Sequence, residues 1–347
     1  MYKFLKNIFV VVGVMLALPF SAHATPMIIG YIPSYHGIEN QLERIDLSKV
    51  THLTLAFLHP NKQGEFIENN QPSCMTGQHG FPLRVSEIEH LLEKAHRSNV
   101  KVLVSIGGAA YPSCAGDWRT LLLSENRDKT IKNVLAFVHE LGFDGLDIDI
   151  ESKMLTDIDN NGDFLPFIKS LKQSLMAHDK LLTAATGSYI GGMLPESTLP
   201  LFDFVSVMSY DAVGPTWGSV GVEHSTLAKA EADLALWRNK GLSKKQLILG
   251  LPFYGYGFGK YKKNYTFDDI FGEFGPEKSK GDLIGNNCAD CDYITFNGYQ
   301  TIKAKTELAL QLGAGVMIWE LSQDVPANLG LLHMINETIK KNKNEKK

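Results

Sequence analysis

Apolar and β-branched residues cluster in eight short runs along the chain, at residues 27–32, 50–58, 100–106, 143–151, 181–186, 202–210, 247–254 and 315–320. Runs of this length and composition read as buried strands. Between them lie longer segments with a helical period, clearest at 85–98, 126–141, 164–178, 227–240 and 298–312. Strand and helix alternating over most of the chain predict a parallel sheet, and eight repeats predict closure into a single-domain (β/α)8 TIM barrel. An open doubly wound sheet would place a Gly-rich phosphate turn after the first strand. Ile32-Pro33-Ser34-Tyr35-His36-Gly37 is not such a turn.

The fourth run, Asp144-Gly145-Leu146-Asp147-Ile148-Asp149-Ile150-Glu151, departs from a plain core strand. A period of two puts Asp147, Asp149 and Glu151 on one face and Leu146, Ile148 and Ile150 on the other. Helices then cover the apolar face, and the acids point into the barrel or its rim. Carboxylates spaced about 6 to 7 Å apart along a buried strand must share protons or hydrogen bonds. A structural ion-paired cluster would want Arg or Lys at neighbouring inward positions, and the predicted strands carry almost none. Glu151 sits at the strand end, where barrel enzymes place their chemistry. An acid kept protonated beside charged acids is the working unit of glycosidic bond cleavage. Asp144, on the other face, reads as a turn or helix-packing residue.

The octapeptide has the form DGxDxDxE and resembles the fourth-strand signature of glycoside hydrolase family 18, the chitinase family; further family-like segments follow in the expected order. The resemblance implies that Glu151 is the general acid and base, with Asp149 beside it and Asp147 deeper in the barrel. Ser105-Ile106-Gly107-Gly108 resembles S-x-G-G, where the serine helps hold the innermost aspartate and Gly108 lets substrate approach. Ala109 follows, where family members with extended clefts often have Trp. Met208-Ser209-Tyr210-Asp211 resembles M-x-Y-D, with Tyr210 holding the substrate's N-acetyl group and Asp211 binding sugar hydroxyls or the same amide. Gly250-Leu251-Pro252-Phe253-Tyr254-Gly255 resembles G-x-P-x-Y-G, with Tyr254 lining the sugar pocket. Trp319 matches the tryptophan that floors the cleavage subsite, Tyr31 and Phe57 match aromatic positions on strands one and two, and Trp217 is a candidate cleft residue. The implied reaction is retaining hydrolysis of chitin or its oligosaccharides, with the substrate's own acetamide as nucleophile. Alternatives are an endo-β-N-acetylglucosaminidase acting on N-glycans or peptidoglycan, a lectin that has lost activity, or a barrel glycosidase using Glu320 as a carboxylate nucleophile. Some relatives carry a compact α+β domain after strand seven. Here residues 255–295 are expected to fold as loops, without a full α+β insertion domain.

Composition narrows the setting. Residues 1–24 combine Lys3 and Lys6, an apolar run and Ala22-His23-Ala24, the pattern of a secretory signal peptide. Cleavage would leave residues 25–342 as the catalytic domain and 343–347 as a basic tail, read as a frayed, solvated helix end. Without Lys3 and Lys6 the 34 basic residues become 32 against 38 acidic, a charge of −6. Nothing in that balance suggests nucleic acid, and a neutral polysaccharide needs no charge complement. Four cysteines in an exported chain suit two disulfides. Cys74 and Cys114 follow neighbouring strands and are paired on that ground; Cys288 and Cys291 form a local bridge. The histidines, His36, His79 and His224 among them, show no ligand pattern, so no metal or other cofactor is expected. The expected protein is a secreted or periplasmic monomer, off the membrane once its leader is cut.

Overall fold

The computed structural model describes residues 25–345. The leader read in residues 1–24 lies outside the described residues. Eight parallel strands close into a barrel: strands one to eight are Met27–Pro33, His52–Leu58, Lys101–Gly108, Gly145–Ile150, Leu181–Thr186, Phe204–Val207, Leu247–Pro252 and Gly315–Trp319. Strand one pairs with strand two on one side and strand eight on the other, which completes the ring.

Side chains sort by the two-residue period. Leu146, Ile148 and Ile150 join the large apolar layer between barrel and helices, while Ile29, Tyr31, Leu103, Phe204, Tyr210, Ile248 and Met317 fill a separate cluster inside the barrel. Helices Val85–Arg97, Ser124–Leu141, Phe164–Met176, Leu227–Asn239 and Tyr299–Leu312 lie where the period put them. The helix Leu331–Glu345 buries Leu331, Leu332, Ile335 and Ile339 along one stripe and runs into the basic tail, where Lys343 to Glu345 are exposed. Asp144 accepts from the Val102 amide at 2.7 Å and pairs with His96 at 2.8 Å, the packing role read for it.

Two segments differ from expectation. Strand six leaves its ladder at Val207 rather than continuing to Tyr210, and Asp211 takes a positive φ of 58°. Side-chain bonds replace the ladder there: Ser209 donates to Asp233 and Ser225 donates to the Ser209 carbonyl, each at 2.7 Å. The insertion after strand seven is not a set of loops. Tyr254–Phe258, Asn264–Thr266, Leu283–Gly285 and Tyr293–Thr295 form a four-stranded antiparallel sheet, joined by the helix Phe267–Lys278 into a small α+β unit. Its apolar patch, Tyr256, Phe258 and Tyr293 with Val213, is too small to show as a hydrophobic run. Gly255 and Gly257 admit neighbouring backbone so closely that a Cβ would lie 2.4 Å from the Thr295 carbonyl and 2.1 Å from that of Lys262. Glycine within a strand usually signals this kind of close approach. A capping box between Thr266 and Asp269 starts the helix.

Both disulfides join the expected partners, Cys74 to Cys114 and Cys288 to Cys291. The first spans 40 residues of sequence, a closure that stabilises by about 4 kcal/mol in the chain-entropy account. No helix among the described residues is long and apolar enough to cross a membrane.

Candidate active site

Strand four presents its acids at graded depth. Asp147 is 3% exposed and fully engaged: Tyr31 Oη donates to it at 2.6 Å, Ser105 Oγ at 2.8 Å and Thr183 Oγ1 at 2.6 Å. Ser105 and Thr183 stand directly across from it on strands three and five. Burial pushes the Asp147 carboxyl up, and these three donors pull against that rise. Asp149 is equally buried, yet its Oδ1 has no hydrogen-bond partner. Burial first, then Glu151 and Asp147, hold its carboxyl well above the usual carboxylate range. Glu151 is partly exposed at the barrel mouth, and burial, followed by the charge of Asp211, pushes it up to about 7. At neutral pH the row therefore retains protons, and Glu151 is the member that reaches outward. Gly107 lies across from Asp149 with a φ of 111°, and a Cβ there would sit 2.4 Å from the Asp149 carbonyl.

Asp211 faces this row from the end of strand six. Its Oδ1 accepts from Tyr254 Oη at 2.6 Å and Tyr256 Oη at 3.0 Å, and His224 Nδ1 lies 3.7 Å away. Trp217, 45% exposed, donates from Nε1 to the Asp211 carbonyl at 3.1 Å and packs on Tyr256 with ring centroids 5.4 Å apart. The Tyr210 and Tyr254 phenols are pushed well above their ordinary value, by burial first and then by Asp211. Both remain neutral donors at any working pH.

The barrel mouth is aromatic. Trp319 stacks on Phe57 at 5.6 Å and 21°, and Met208, Tyr254, Phe57 and Trp319 are all half-buried members of the inner cluster. Gly108 makes room for Phe57, since a Cβ would lie 2.8 Å from that ring. Tyr31, a substrate-binding candidate by the resemblance, is more deeply buried than these rings. It is 2% exposed beneath Trp319, and its hydroxyl is committed to Asp147. Glu320, the candidate for a carboxylate nucleophile, is 1% exposed, with Oε1 accepting from the Ser322 hydroxyl and Oε2 from its amide.

Four residues were not proposed from sequence. Tyr256 and His224 meet Asp211 from the insertion and from the loop before the helix Leu227–Asn239. The Tyr111 hydroxyl is buried without a partner, and burial followed by Asp149 and Glu151 pushes it up. Tyr189 is 49% exposed and shares a 3.0 Å hydrogen bond with Ser152, the residue after Glu151. Of these, only Tyr256 carried a signal, its alternation with Tyr254 in Tyr254-Gly255-Tyr256. Among the described residues, no group of three or more His, Cys, Asp or Glu side chains is arranged to hold a metal ion.

Residues 27–324 match the family model Glycosyl hydrolases family 18. The chain belongs to this family. It is 27% identical over 328 residues to a class V chitinase of Arabidopsis thaliana, covering 81% of this chain and 82% of the relative. Among solved structures, the GH18 chitinase ChiB of Flavobacterium johnsoniae superposes with a TM-score of 0.77 at 28% identity, covering 92% of this chain and 95% of that one. A chitinase from Bacteroides thetaiotaomicron gives 0.75 at 26%, covering 91% and 97%. The family thus agrees with the resemblance read from strand four.

Proposed function

We propose that this family 18 member hydrolyses β-1,4-linked N-acetylglucosamine polymers, chitin and its oligosaccharides, with retention of configuration. One observation carries the reading: in a row of three acids, the innermost is buried and satisfied by three donors, the middle one is buried with an unpartnered oxygen, and the outermost, at the rim, is held protonated to about pH 7. Glu151 gives its proton to the glycosidic oxygen as the bond to C1 breaks. The acetamide oxygen of the same sugar attacks C1, and Asp149 accepts from the acetamide N–H. Tyr210 holds the acetamide oxygen, and Trp319 supports the apolar face of the sugar. Water then attacks C1 while the Glu151 carboxylate takes its proton, which opens the oxazolinium ring and regenerates the acid. Substrates lacking the N-acetyl group should not be cut. The occupied oxygens of Glu320 favour this route over a carboxylate nucleophile. Product analysis on chitohexaose, high-mannose glycoprotein and peptidoglycan tests the substrate class; cleavage confined to the latter two would refute it.

The Asp211 charge helps keep the Glu151 proton in place. Asp211→Asn should therefore move the basic limb of the kcat/KM profile from near 7 to lower pH, since Glu151 must be protonated to act. An unmoved limb would separate the two groups. The reading also includes export. Protein recovered outside the cytoplasm should begin at Thr25 by N-terminal sequencing, and an intact Met1 there would refute leader cleavage.

A further inference from the structure

His224 has an environment that the reaction just described does not use. Its ring is completely buried, and neither Nδ1 nor Nε2 has a hydrogen-bond partner. Buried polar atoms without partners are rare enough to need a reason. The ring packs against Tyr254 and Tyr256 at centroid distances of 5.4 and 5.3 Å, and Nδ1 points toward Asp211 Oδ1 at 3.7 Å, too long for a hydrogen bond. The backbone cannot swing the ring aside: the His224 amide donates to Thr295 Oγ1 at 3.1 Å, and its carbonyl accepts from the Ala212 amide at 2.9 Å. Among the described residues, His224 is the one basic side chain within 4.0 Å of Asp147, Asp149, Glu151 or Asp211, and it is Asp211 that it approaches.

Resting on the hydrolase reading above, we propose that His224 is a positioning residue that holds Asp211 through a proton-dependent ion pair and thereby sets the acid side of the working pH range. The neutral ring leaves the pair unmade. Protonation gives Nδ1–H a carboxylate to donate to and holds Asp211 from a second side, where it accepts from the Tyr254 and Tyr256 hydroxyls. The groups facing the ring fix the sign. Burial lowers the imidazole, Asp211 and Asp282 favour its charged form, and Lys305 disfavours it. Lys305 itself donates to the Ser225 carbonyl and hydroxyl and to Asn297 Oδ1. The ring is therefore neutral in the neutral range and becomes charged only on the acid side, so it leaves the basic limb set by Glu151 untouched.

The test compares wild type with His224→Gln, which keeps a polar side chain that cannot be charged, on soluble chitotetraose across the stable pH range. The acid limb of kcat/KM should move upward by about one pH unit, the low end for loss of an opposite charge at this range, with the basic limb unmoved. A uniform loss at every pH with both limbs in place would mean a merely structural role and overturn the proposal. A second readout needs no turnover. The NMR titration midpoint of the His224 ring should fall in Asp211→Asn relative to wild type. Equal midpoints, or a ring that stays neutral throughout, would also overturn it. If wild type leaves chitotetraose uncut, the hydrolase reading fails while the NMR comparison still decides the Asp211–His224 pair.

Discussion

Glu151→Gln is expected to lower kcat on chitotetraose by about a thousandfold, within the range that general acid catalysis contributes, while the dissociation constant for the oligosaccharide changes little. The amide is nearly isosteric with the acid and fills the same half-buried position at the end of strand four, but it has no proton to give and cannot later accept one from water. It also removes one of the two charges that hold Asp149 well above the carboxylate range. The variant should therefore fold at least as well as wild type. Initial rates beside calorimetric binding check this. Wild-type turnover in the variant would remove Glu151 from the chemistry, and lost binding with normal melting would make it a binding group instead.

Asp149→Asn should cost about a hundredfold in kcat, comparable to losing one preorganised group aimed at developing charge. Asp147 already has three donors, whereas Asp149 keeps a buried oxygen without any. That oxygen is suited to an acetamide N–H, which is what the proposed substrate-assisted route requires of it. An asparagine amide turned toward that N–H sets donor against donor, and an oxazoline mimic should lose affinity in the variant along with the rate. Stability should move the other way. Replacing a buried carboxylate that is crowded by Glu151 and Asp147 removes repulsion, so the melting temperature should hold or rise. A fall in melting temperature matching the loss of rate would assign Asp149 a structural role.

The division between sequence and fold follows the range of the forces involved. Alternation is a property of a few adjacent residues, so the eight strands, the shared face of Asp147, Asp149 and Glu151, and the packing role of Asp144 could be read directly. The family segments could be read for the same reason: each is a short string fixed at a strand end. The insertion escaped because its sheet is stitched from strands of three to five residues, three of whose positions, Gly255, Gly257 and Gly285, are glycines that admit close backbone rather than adding hydrophobicity. Tyr31 matches an aromatic position of the family, yet its hydroxyl bonds to a carboxylate 116 residues away.

The alternation alone shows which acids share a face and that Glu151 ends the strand, because a two-residue period and a strand terminus are local facts. Tertiary structure alone decided which acid is satisfied, which is left bare and which keeps its proton near neutrality. Those properties depend on Tyr31, Ser105, Thr183 and Asp211, and on the burial that closing the barrel imposes. No residue carries its own burial or its distant partners in its name, and so His224, one of several isolated histidines in the sequence, comes to lie beside Asp211 only after folding.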